Sequence, residues 1–91
     1  MRRLPLFPLP TVLHPGCVLP LHVFEARYRR MVAWALEHDR CFGILYHDPD
    51  RFGPFERNPG RVGTVARIGE FRPLPDGRSL LLAHGEERFR I

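Results

Sequence analysis

The sequence predicts an α+β domain, mainly β, in which several short strands accompany one long amphipathic helix at about residues 24–38. Three observations carry that prediction. A sustained apolar stripe at the helical period occurs once. The remaining apolar runs are short and of the kind that forms strands. Ten prolines and eight glycines punctuate those runs along the whole chain. Ninety-one residues suffice for one domain, 1–91, and a composition 44% apolar and 26% charged is that of a chain that folds.

The elements follow in order. Leu4 to Leu9 alternates apolar residues with proline, which permits only an edge or bulged strand, because proline donates no ladder hydrogen bond. His14-Pro15-Gly16 is a turn signal, and Cys17-Val18-Leu19 reads as the next strand, closed by Pro20. The first twenty residues thus read as two short strands with a tight turn. Phe24, Tyr28, Met31, Val32, Ala35 and Leu36 recur at i, i+4, i+7, i+8, i+11 and i+12, one stripe along the helix and the expected core face. Arg29, Arg30, Ala33 and Glu37 fall on its far side. Trp34 lies on the flank beside Arg27 and Arg30. It is either an exposed aromatic for a partner or a residue packed against a strand, and cation–π stacking on Arg30 fits both.

Cys41 to Tyr46 is a short apolar strand. His47 to Arg61, with three prolines, two glycines and three acids in fifteen residues, reads as a loop, and it places Phe52 and Phe55 around Gly53-Pro54. Val62–Phe71 and Ser79–His84 form a hairpin around Pro75-Asp76-Gly77. Gly85-Glu86-Glu87 reads as another turn, and Arg88 to Ile91 alternates as a strand, so the chain is expected to stop in or just after a strand.

All fourteen cations are arginine, and the formal net charge is +4. Six Arg against three acids lie in residues 1–45, and eight against seven in residues 46–91. A basic face of this size makes nucleic acid a partner to weigh against a merely solvated surface. The absence of lysine excludes a P-loop and a Ser–Lys dyad. Ser79, the one serine, lies in a predicted strand with no Gly-x-Ser-x-Gly elbow around it. Cys17, His22, Cys41 and His47 have the residue types of a zinc site but not its tight spacing, and apolar strands are where a free cysteine acts as a small hydrophobe. His47-Asp48-Pro49-Asp50 reads as a solvated turn sooner than a cation site, and Glu86-Glu87 as solvent-facing. No metal, cofactor or catalytic residue is expected. Three prolines break the segment after Met1-Arg2-Arg3, where a secretory signal would need an apolar helix, and no run approaches a membrane span; the expected location is the cytoplasm.

The order of motifs resembles the Lon substrate-binding domain, the amino-terminal domain of Lon protease. LPLFPLPTVLHPG resembles its opening strand, LPLHVFEARYRRMV its signature segment, and FGIL, VGTVARI and DGRSLLLAHGEERFRI the strands beyond. Ala26 stands where relatives often carry proline, a harmless change because alanine is a good helix former. The His47–Arg61 loop is a second departure. The resemblance implies a PUA-like partial β-barrel, of which this chain is expected to be the first half, and recognition of unfolded or apolar polypeptide without peptide-bond chemistry. Trp34, Phe52, Phe55, Arg27 and Arg30 are the residues expected to meet that partner, and exposed strand edges are expected to pair two copies as a homodimer. RNA binding, as in PUA-like modules, and a purely oligomerising role are the alternatives.

Overall fold

A computed structural model describes residues 4–53 and 60–91. Among them are five strands and two helices: β1 (Leu6–Leu9), β2 (Val18–Val23), α1 (Ala26–Leu36), β3 (Cys41–Tyr46), α2 (Pro49–Phe52), β4 (Val62–Pro73) and β5 (Ser79–Arg90). The strands make one open sheet in the order β1-β3-β4-β5-β2. β3, β4, β5 and β2 pair antiparallel with their neighbours, whereas β1 runs parallel to β3.

That one parallel pair shapes the topology. Parallel neighbours need a crossover between them, and here it consists of β2 and α1. The first two strands therefore lie at opposite ends of the sheet, although the His14–Cys17 turn forms as expected, with the Cys17 amide 3.0 Å from the His14 carbonyl. Pro20 does not close β2 but sits inside it, opposite Leu82, which an edge strand tolerates.

α1 is shorter than the stripe suggested, eleven residues instead of residues 24–38. Pairing of Val23 with Ser79 keeps the chain extended almost to the helix, and Glu25 holds φ −73° and ψ 138° at the N-cap. Phe24 is consequently outside the helix and 58% exposed, not a core residue. The rest of the stripe packs on the sheet: Val32 and Ala35 are buried, and Tyr28, Met31 and Leu36 are half-buried against the core. At the other end the His38 ring bonds the Trp34 carbonyl at 2.6 Å, and Arg40 turns the chain at φ 62° with its amide on the Ala35 carbonyl.

The core joins Val32 and Ala35 to Phe7, Leu13, Val23, Phe42, Ile44 and the inward residues of β4 and β5. Phe42, Leu45 and Ile68 are almost wholly enclosed. β4 and β5 meet around the expected turn: Gly77 lies at φ 91° and donates to Leu74 at 3.1 Å, and the Asp76 carboxylate accepts from the Arg78 amide at 3.1 Å. The expected turn at Gly85-Glu86-Glu87 is instead a bulge. Thr64 pairs with Arg88 and Ala66 with Gly85, so β5 carries one extra residue and continues to Arg90. Gly85 passes against the His14 carbonyl, where a Cβ would collide. Cys17 is another correction: it is exposed ahead of β2, whereas Cys41 is buried.

Candidate functional site

Residues from the two extreme strands of the sheet line one groove of about 380 Å³. Phe7 to Pro10 come from β1 and its exit, Leu21 and His22 from β2, Phe24 and Glu25 from the link into α1, and Arg27 and Tyr28 from its first turn. Strands that are last in opposite directions share a groove only because the sheet coils toward closure and stops short. Among the described residues each of these strands has one strand neighbour, which leaves one edge of each unpaired, although Pro8 and Pro20 contribute no N–H there.

The groove is aromatic in its floor and charged at its rim. Phe7 and Tyr28 stack at 4.2 Å with planes 10° apart, and the Arg27 guanidinium lies 4.6 Å over the Tyr28 ring. Burial pushes the Tyr28 phenol above its ordinary value, Arg27 pulls it down and Glu25 pushes it up, leaving it raised. Arg27 also meets Glu25 at 3.0 Å, a surface pair of little energetic weight. Phe24 leans on His22 with ring centroids 5.7 Å apart, presenting a large apolar face to solvent. His47, buried at one wall, bonds the Gly53 carbonyl at 2.8 Å and so ties down the start of the 47–61 segment. Such a surface offers apolar contact, aromatic faces and strand edges: the means of binding.

The residues expected to meet a partner do not converge here. Arg27 lines the groove, Arg30 lines a different cleft, and Trp34 is half-buried against the core with its ring stacked 3.9 Å from His38. Phe52 ends α2, and Phe55 lies outside the described residues. The sequence marks none of Phe24, Tyr28, Leu9 and Leu21 as a site residue. The proline-broken first strand and Pro20 were the signals that could have found them, since each marks a sheet edge. Among the described residues no three His, Cys, Asp or Glu side chains come together as a metal site. No helix among them is long and apolar enough to cross a membrane.

Residues 3–91 match the family described as the ATP-dependent protease La (LON) substrate-binding domain. The Lon protease of Cytophaga hutchinsonii is 34% identical over 90 residues, covering 97% of this chain and 11% of that protein. Protein cereblon of Danio rerio is 32% identical over 95 residues, covering all of this chain and 22% of its own. The crystal structure of a Lon N-terminal domain protein from Xanthomonas campestris aligns with a TM-score of 0.77 at 36% identity, over 97% of this chain and 48% of that one. The N-terminal domain of a Mycobacterium avium complex Lon protease shares the fold, with a TM-score of 0.71 at 21% identity over 97% of this chain and 44% of its own. The chain thus spans just under half of these solved domains and a small part of the full-length relatives.

Proposed function

Because the chain belongs to the Lon substrate-binding domain family, we propose that residues 1–91, one domain resembling the N-terminal part of that family's domain, serve as a non-catalytic recognition module of the cytoplasm that binds unfolded or apolar polypeptide segments. The groove between β1 and β2 carries the reading. An extended segment has unpaired backbone groups of its own, and laid along either edge it gains ladder hydrogen bonds that do not depend on sequence. Its apolar side chains meet Phe24, Tyr28 and Leu9, which ask for hydrophobicity and little else. Folded proteins, most of whose strands and apolar side chains are already engaged, have less of both to offer. Phe52 and Phe55 enter the proposal as further aromatic contacts, because the segment that bears them starts at the groove residue His47. The same edges allow two copies to pair, so a homodimer in competition with substrate belongs to the proposal; sedimentation over a concentration series tests it.

The direct experiment compares binding of a reduced, alkylated and hence unfolded protein with binding of its native form. Unfolded protein binds and native protein does not. Phe24→Ser, an exposed position that leaves the core alone, weakens binding about tenfold or more, as loss of one buried phenyl ring implies. Equal affinity for both forms, or no response to Phe24→Ser, refutes the reading. Turnover of peptide or ATP that a point substitution in this chain abolishes would refute its non-catalytic part.

A further inference from the structure

A second cleft, of about 620 Å³, opens on the other flank of α1, between the helix and the β4–β5 hairpin. Its floor is apolar: Val32 is buried, and Leu36 and Phe71 are half-buried and pack on the core. Its rim is cationic, with Arg29 and Arg30 from the helix and Arg78 from the hairpin. Arg78 is already engaged by Asp76, both through its guanidinium and through its backbone amide. Neither the Arg29 nor the Arg30 guanidinium has an ion-pair or hydrogen-bond partner among the described residues.

Two guanidiniums with no carboxylate partner among the described residues, set over an apolar floor, are complementary to a ligand that carries both anionic and apolar groups. Glu37 stands at the far end of the cleft, seven helical positions from Arg30 and therefore about 10 Å along the axis. That length matches about three residues of extended chain. We propose that this cleft is a second binding site, taking a short acidic segment of a partner polypeptide with its carboxylates on Arg29 and Arg30 and an apolar side chain on Leu36 and Phe71. A nucleic-acid strand fits less well, because its phosphates would need cations along the whole cleft and Glu37 stands at the far end. The site is separate from the β1–β2 groove and does not depend on what that groove binds.

Fluorescence anisotropy with two labelled peptides tests it on the full chain. One peptide carries an Asp-Asp-Leu-Phe core, and the other replaces both acids with asparagine. The acidic peptide binds, the asparagine peptide binds at least about tenfold more weakly, and added salt weakens the first more than the second. The Arg29→Gln, Arg30→Gln double variant, altered only at exposed positions, loses the same factor while its thermal melt stays unchanged. Phe24→Ser leaves the acidic peptide's affinity where it was, which separates this site from the groove. Indifference to the asparagine replacement, loss of binding in Phe24→Ser, no binding at millimolar peptide, or displacement by single-stranded RNA at lower concentrations than by peptide would each overturn the proposal.

Discussion

Phe89 of β5 lies across two glycines on neighbouring strands, and the two should respond differently to the same added methyl group. A Cβ on Gly63 would stand 2.6 Å from the Phe89 ring and 2.7 Å from the Ile44 carbonyl oxygen. A Cβ on Gly43 would stand 2.7 Å from the ring and 2.9 Å from a Leu6 methyl, with side-chain atoms as its three nearest neighbours. Ordinary contacts begin near 3.5 Å, so each site is short by almost an ångström. The Phe89 ring and the Leu6 methyl are ends of half-buried side chains and can swing aside. The Ile44 carbonyl belongs to β3 and cannot retreat without disturbing that strand's pairing. Overpacking costs about 1–3 kcal/mol, and loss of glycine's unfolded-state freedom returns about 0.4–1 kcal/mol. Gly43→Ala is therefore expected to cost about 1 kcal/mol and Gly63→Ala about 2–3 kcal/mol. In a Phe89→Ala background, Gly43→Ala becomes neutral within about 0.5 kcal/mol, whereas Gly63→Ala still costs about 1–2 kcal/mol. Urea unfolding of the six proteins measures this, with about 1 kcal/mol corresponding to roughly 4–8 °C in a parallel thermal melt. Equal penalties for the two alanines in the Phe89→Ala background would refute the role given to the Ile44 carbonyl.

Three other outcomes are expected. Val32→Asp, which buries an unpaired charge beneath α1, abolishes cooperative thermal unfolding, while Met31→Asp at a half-buried position costs several kcal/mol and still melts cooperatively. Arg40 donates to the Ile68 carbonyl at 3.2 Å and the Gly69 carbonyl at 2.9 Å, so Arg40→Ala costs about 1–2 kcal/mol by urea unfolding, and Arg40→Gly, which suits the positive φ, recovers part of it. Tyr28 holds its proton more tightly folded than unfolded, so its contribution is complete below about pH 10 and is lost as pH rises through the raised folded value; stability measured from pH 8 to 11 falls more steeply in the parent than in Tyr28→Phe, and identical slopes would contradict the assignment.

What the sequence determined by itself was local. The 3.6-residue period of Tyr28, Val32, Ala35 and Leu36 marks a helix face, and Pro75-Asp76-Gly77 marks a hairpin, because near neighbours along the chain decide both. The run Cys41 to Tyr46 became β3 with the expected bounds, and the motif order was enough to indicate the family. Glycine was where that reading failed: Gly85 resembles a turn residue, but its function is to let β5 bulge past the His14 carbonyl, a neighbour seventy-one positions away. Phe24 failed for a related reason, since pairing of Val23 with Ser79 overrides the helical stripe one residue later. The groove itself was illegible. It exists because β1 pairs with β3, β2 pairs with β5, and the sheet between them coils until its two edges approach. Pairing partners and coil are set by packing among residues remote in sequence, so only the tertiary structure could bring Leu9, Leu21 and Tyr28 to one surface.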